Sequence, residues 1–117
     1  MYPEGIRMSK IEDLAITGRS GAKYTFSIYR YGQGFRPVGA VYVVLQRQVR
    51  ADSSVFYRFI YVGETGDLST RFSSHHKQDC FRTEGCTHVG IHVDSSQRSR
   101  LDKEDDILKG NRWPCND

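Results

Sequence analysis

Two runs rich in β-branched and aromatic residues, Ala40 to Val49 and Phe56 to Val62, are separated by little more than the polar stretch Arg50-Ala51-Asp52-Ser53-Ser54. The first run opens apolar on both alternating faces, which reads as a strand buried near the middle of a sheet. So short a connection favours an antiparallel hairpin over a parallel crossover, which needs a dozen or so residues. A turn centred on Ala51 and Asp52 sets Tyr42 opposite Tyr61, with both rings on one sheet face. A slip of one residue sends them to opposite faces.

The 117-residue chain is expected to form one domain around that hairpin. Residues 1 to 38 read as an N-terminal extension with one strand. Its first part is polar, interrupted by Gly5, Gly18 and Gly21, with a short helix from Ser9 to Ala15 on a loosely attached arm. Tyr24 to Tyr29 alternates with period two and supplies the strand. Residues 39 to 117 carry the core. There Asp67 caps a helix to about Lys77, with Leu68 and Phe72 inward and Arg71 and His75 as neighbours one turn apart. Val89, Ile91 and Val93 mark a further core strand, and Asp94 with Gln97 opens a second helix reaching about Lys109. The expected fold is α/β of the α+β kind: a small mixed, mainly antiparallel central sheet flanked by helices, with an extra N-terminal strand.

Seventeen Lys and Arg against fourteen Asp and Glu give a net charge of +3, compatible with a polyanionic partner. Lys77, Arg82, Arg98, Arg100, Lys103, Lys109 and Arg112 are candidates to flank a phosphate-binding cleft or to sit on a solvated helix face. No apolar run approaches the roughly 20 residues of a membrane-spanning helix. Cys80, Cys86 and Cys115 are an odd set without paired spacing, and no charged-then-apolar leader opens the chain, so a reducing, cytoplasmic setting with unbridged thiols is expected. His75, His76, Cys80, Cys86, His88 and His92 invite a zinc reading, but the Cys80 to Cys86 interval is wider than a zinc knuckle and core-filling thiols are favoured. Gly63-Glu64-Thr65-Gly66 lacks the pattern of a nucleotide-binding loop.

On the second helix, Leu101, Glu104 and Leu108 recur at helical spacing, which places Glu104 on the apolar face. An ionised carboxylate there costs several kcal/mol unless a cation, a metal or strong donors offset it. An ion pair with Arg71, a wet helix edge and a metal are all open on spacing alone.

Taken together, these residues resemble the GIY-YIG nuclease superfamily over residues 39 to 117. Ala40-Val41-Tyr42 stands where that family has Gly-Ile-Tyr, with Ala40 in the glycine position and Gly39 just before it. Tyr61-Val62-Gly63 stands for Tyr-Ile-Gly, Arg71 and His75 for the arginine and the tyrosine or histidine four residues on, Glu104 for the metal-ligating glutamate, and Asn116 for the closing asparagine. The resemblance implies a DNA endonuclease with a single Mg²⁺, or Mn²⁺ in its place, on Glu104, leaving 5′-phosphate and 3′-hydroxyl ends. Tyr42 is the expected general base, aided by positive charge from Arg71. Tyr61, Arg71 and His75 would contact the nucleophile or the phosphate, and Gly63, Thr65 and Asn116 would border the substrate. A lone core of this kind is expected to cut with little sequence preference unless it forms a homo-oligomer, recognises a nucleic-acid structure or is recruited by a protein partner. A non-catalytic nucleic-acid-binding module of the same fold, or a nuclease toxin acting on DNA or RNA, are the alternatives.

Overall fold

The computed structural model describes residues 9–116. The residues of the expected arm up to position 8, Gly5 among them, and Asp117 lie outside the described residues. The hairpin is formed by β3 (Ala40–Val49) and β4 (Val55–Thr65). Its turn is closed by Arg50 N–H donating to the Ser54 carbonyl at 2.8 Å, with Ser53 at φ 72° and Asp52 accepting from Ser54 N–H. The turn is therefore centred on Asp52, half a residue beyond the expected position.

That displacement alone would put Tyr61 on the wrong face. A β-bulge between Val44 and Leu45 restores it: Leu45 pairs with Phe59, Val44 pairs with Tyr61, and Ile60 is the extra residue. Ile60 and Tyr61 consequently both join the cluster built on Ala40, Tyr42 and Val44, whereas Phe59 packs with the other face. The expected pairing of Tyr42 with Tyr61 is replaced by Tyr42 with Gly63, and the two tyrosines share a face through two compensating shifts.

Around the hairpin lie β1 (Glu12–Thr17), β2 (Lys23–Arg30) and β5 (His88–Val93), in the sheet order β1-β2-β5-β3-β4, with every pairing antiparallel. The expected helix from Ser9 to Ala15 is instead largely strand β1. Leu14 and Ile16 alternate inward with period two, and the ladder to β2 is a partner that local sequence cannot show. Two N-terminal strands thus extend the sheet where one was expected, and the described part of the extension, residues 9 to 38, carries both of them. In β5, Val89 and Ile91 are buried as expected, but Val93 at the strand end is 64% exposed.

The sheet has a core on each side. On one face Tyr42, Val44, Ile60, Tyr61, Val89 and Ile91 meet Leu68 and Phe81, the latter from α1 (Gln78–Glu84). On the other, Phe26, Ile28, Val41, Val43 and Val62 meet Ile107 of α2 (Gln97–Gly110). Gly90 makes this second core possible, since a Cβ there would lie 2.7 Å from Val43 and 3.1 Å from both Ile28 and Phe26. Ser96, not Asp94, caps α2 through Ser99 N–H, while Asp94 supports the cap by accepting from Ser96 N–H and the Ser99 hydroxyl.

The C-terminal segment crosses the β4 edge. Trp113 stacks on Phe59 at 4.8 Å on the α2 side, and Cys115 is buried in the core of the opposite face. Between them Cys115 N–H donates to the Ile60 carbonyl, so the chain itself covers part of an edge strand that would otherwise present unpaired backbone groups. Cys115 is joined to Cys80 of α1 by a disulfide, with Cα atoms 5.9 Å apart, which corrects the expectation of three unbridged thiols. Cys86 is the free thiol. No described helix is long and apolar enough to cross a membrane.

Candidate active site

Gly63 is the position around which the site closes. Paired with Tyr42 on β3, it would point any side chain onto the Tyr42 face, and a Cβ there would lie 2.5 Å from Tyr42 Oη and 2.9 Å from a Tyr61 ring carbon. The missing side chain lets the Tyr42 ring lie along β4 with no exposed surface. Tyr61 lies beside it, ring centres 6.0 Å apart.

The segment after β4 brings two more predicted residues to the Tyr42 hydroxyl, though not by the expected helix from Asp67 to Lys77. Asp67 caps only a 3-10 turn, Leu68–Thr70, and Arg71 ends it. The following Phe72-Ser73-Ser74-His75-His76 is poor in strong helix formers, and Ser73 bonds back to the Thr70 carbonyl. The helix forms later, as α1. Arg71 and His75 therefore meet across a loop instead of along a helix face. Arg71 Nε donates to Tyr42 Oη at 2.8 Å, and His75 Nε2 lies 2.7 Å from the same oxygen.

The tautomer of His75 follows from its other nitrogen. His75 Nδ1 accepts from Lys77 N–H at 3.0 Å, so the neutral ring carries its proton on Nε2 and donates it to Tyr42. The ring is neutral because burial, reinforced by Arg71, His76 and Lys77, pushes its pKa down to about 4. Tyr42 Oη thus accepts two hydrogen bonds, and its own proton points away from both donors. Burial, together with Tyr61, raises the Tyr42 pKa, and the opposing effect of Arg71 does not overcome it. In the free protein Tyr42 keeps its proton at neutral pH, contrary to the expectation that Arg71 alone would ready it as a base.

Glu104 belongs to a different layer from the tyrosines. It lies on α2, the helix packed against the opposite side of the sheet. The inward stripe of α2 is also rotated from the expected one. Leu101 is 43% exposed, while Arg100 is 6% exposed and pairs with Glu64 at 2.9 Å. Gly39 makes room for that guanidinium, since a Cβ there would lie 2.5 Å from Arg100 Nη1 and 2.9 Å from the Asp94 carbonyl. Glu104 follows Arg100 by one turn, is half-buried, and makes no hydrogen bond or ion pair among the described residues. Burial, then Glu64 and Asp105, raise its pKa, and Arg71 works against them. Arg71 is therefore the charge felt both by Tyr42 and by Glu104, around the β4 edge where Gly63 faces one core and Glu64 the other.

The remaining predicted residues are committed to backbone. Thr65 Oγ1 accepts from Asp67 N–H at 3.1 Å in the turn before the 3-10 segment. Asn116 accepts from Val62 N–H and donates to the Val62 carbonyl, both at 2.8 Å, so it acts as a strand partner for β4 beside Gly63. Arg100 and Lys103 were candidate phosphate contacts, but Arg100 is enclosed as described and Lys103 pairs with Asp94 at 2.9 Å. Arg82, Arg98 and Lys109 lie on exposed helix surface with carboxylate partners three or four residues away. Sequence reasoning missed Phe72 as a wall of the site. Its ring centre is 5.1 Å from that of Tyr42, and the only hint was its inward position beside Arg71.

Among the described residues no group of three or more His, Cys, Asp or Glu side chains is arranged to hold a metal. An unpartnered, half-buried carboxylate whose charge is opposed by burial and by Glu64 is nonetheless a fitting single ligand for a hydrated divalent cation, which commonly uses one or two protein carboxylates. A cavity of about 830 Å³ between Phe56–Phe59 of β4 and Asn111–Pro114 has none of these residues in its lining. Comparisons of the chain with family models, with curated proteins and with solved structures found no match.

Proposed function

We propose that the chain is a metal-dependent endonuclease of the GIY-YIG kind, hydrolysing phosphodiester bonds of DNA. The observation that carries this reading is the convergence of Arg71 Nε and His75 Nε2 on one tyrosine oxygen, under a glycine that gives the ring its space. Two fixed donors on a phenol oxygen stabilise negative charge there, so that Tyr42, once it has released its own proton to solvent, would act as a phenolate that takes one from the attacking water. Arg71 spends Nε on Tyr42, and its terminal nitrogens are the proposed contacts for a non-bridging phosphate oxygen. Neutral His75 holds Tyr42 in place and donates to its oxygen as charge develops. Tyr61 lies against the same cluster and would bond the attacking water or the phosphate. Glu104 would hold Mg²⁺ or Mn²⁺, which supplies Lewis-acid stabilisation of phosphate charge.

A second reading has its own support. Full burial of Tyr42 and the placement of Glu104 across the sheet also suit a nucleic-acid-binding module that keeps the fold without the chemistry. Labelled single-stranded, duplex and branched DNA, and RNA, incubated with Mg²⁺ or Mn²⁺ separate the two. The nuclease reading expects metal-dependent cutting that Glu104→Gln lowers at least about 100-fold, the scale of losing a principal electrostatic contact in a site. Cutting that persists in the variant removes Glu104 from the mechanism. Binding without cutting by the wild type leaves the module.

A further inference from the structure

The C-terminal hook covers only part of the β4 edge. β4 is the last strand of the sheet, and the hook engages Ile60 and Val62 through Cys115 and Asn116. What the rest of the edge presents follows from β3, because an antiparallel ladder alternates hydrogen-bonded and non-hydrogen-bonded pairs. Arg47 N–H donates to Thr87 Oγ1 and the Leu45 carbonyl accepts from Thr87 N–H, both at 2.9 Å, so both residues direct these groups toward β5. Their partners Tyr57 and Phe59, and by the same alternation Val55, direct N–H and C=O away from β3. No hydrogen bond from beyond the β3–β4 ladder reaches these groups among the described residues. Val55 to Phe59 is therefore an open strand edge, of the kind that pairs with another chain.

The groove of about 830 Å³ runs along this edge, and its lining holds the guanidinium groups of Arg58 and Arg112 and no carboxylate. The carboxylates nearby are committed: Glu84 pairs with Arg58, Glu12 with Arg47, and Asp52 accepts from Ser54 N–H within the turn. Arg112 is exposed and makes no hydrogen bond or ion pair among the described residues. Arg50, at the turn end, lies over the Phe56 ring at 5.0 Å without a carboxylate partner. The uncompensated guanidinium charges beside the edge call for an anionic partner.

Backbone chemistry selects among anionic partners. Alternating N–H and C=O groups at strand spacing are answered in full only by another peptide backbone. A phosphodiester strand supplies acceptors for the N–H groups and leaves the carbonyls without donors. Nor is Trp113 free as a platform for a base: it is 7% exposed, stacked on Phe59, and donates Nε1–H to the Ile107 carbonyl. A second copy laid edge to edge would set this like-charged groove against itself.

We propose that the Val55–Phe59 edge receives an extended, acidic segment of a partner protein as a sixth strand of the sheet, with carboxylates answering Arg112 and Arg50. The half-exposed Phe56 offers that segment an apolar contact, and the hook limits the docked stretch to about five residues, or about 17 Å. This docking does not rest on the proposed nuclease activity.

The test is a titration of the ¹⁵N-labelled full chain with the peptide acetyl-Thr-Glu-Val-Thr-Val-Glu-Thr-amide and with its counterpart carrying Lys for Glu. The acidic peptide should shift the amides of Val55, Tyr57 and Phe59 saturably, slow their hydrogen exchange, and bind at least about threefold tighter than the lysine peptide at low salt. Arg112→Glu should erase that preference while leaving the rest of the spectrum in place. Methylating alternate backbone nitrogens of the acidic peptide should abolish binding in one phase of the alternation and spare it in the other. No shift at millimolar peptide, equal affinity for the two peptides, or the same response to both methylation phases would overturn the proposal. So would protection of these amides that rises with protein concentration alone, which gives the edge to a second copy, or saturable shifts there with oligothymidylate and none with peptide, which give it to nucleic acid. A chain that binds the acidic peptide here but cuts no nucleic acid loses the nuclease reading alone.

Discussion

Two residues test the tyrosine cluster from opposite sides. Gly63→Ala adds a single methyl group, but it would sit 2.5 Å from Tyr42 Oη, so the ring must leave Arg71 and His75. Overpacking of this kind costs about 1–3 kcal/mol, and a misplacement of about 1 Å in a reacting group costs on the order of 100-fold in rate. Thermal unfolding and DNA cleavage on the same sample should show both losses. Tyr42→Phe keeps the ring and removes the shared acceptor. Two N–H groups, Arg71 Nε and His75 Nε2, lose their oxygen, with a stability cost of about 1–3 kcal/mol. If Tyr42 handles the proton of the attacking water, the rate falls by about 100- to 10,000-fold. An unchanged rate at reduced stability would leave Tyr42 as a positioning residue.

At the scale of elements, the C-terminal hook decides how β4 is held. Asn116 and Cys115 pair with β4 on the edge opposite β3, and the Cys80–Cys115 bond ties that hook to α1 under the tyrosine face. The two cysteines are 35 residues apart, for which the chain-entropy description gives about 4 kcal/mol, within a usual range of about 2–4. Cys115→Ser, or full reduction with a dithiol, should lower the unfolding midpoint accordingly, while Cys86→Ser should not reproduce the effect. Amide exchange at Val62 and Gly63 should quicken with the loss of the bridge, because Asn116 is then anchored only by its own hydrogen bonds. The elements also show where local sequence signals run out. The β3–β4 hairpin, β2, β5 and α2 carry strong periodicity and were legible. The segment from Asp67 to Lys77 has a cap residue and an inward Leu and Phe, yet its serines and histidines leave it short of a helix, and α1 begins where that expectation ended.

For the whole molecule, proton linkage gives a signed expectation. His75 titrates at about 6.5 when unfolded and at about 4 when folded, and burial lowers His88 as well. Below pH 6.5 the unfolded chain takes up protons that the folded chain refuses, so stability present above that pH is lost as pH falls toward 4, by up to about 3 kcal/mol for His75. His75→Asn should flatten this part of a plot of unfolding midpoint against pH. Glu104 has the opposite sign: with its folded pKa raised, the stability it contributes is present below 4.5 and is lost as pH rises through the raised value. Metal-dependent cleavage should accordingly rise with pH, because Glu104 and Tyr42, both with raised pKa values, must each lose a proton, with no separate inflection from His75 near 6.5. The sequence alone determined strands β2 to β5, though not β1, together with the second helix and the order in which tyrosines, arginine, histidine and glutamate arrive, because alternation and helical spacing are local properties of the chain. Tertiary structure alone decided that an off-centre turn and a bulge cancel to keep Tyr61 beside Tyr42, that Glu104 belongs to the other layer, and that Cys80 meets Cys115. Each of those depends on which face a residue takes after long-range pairing, and one residue of register, which composition and spacing do not fix, is enough to reverse it.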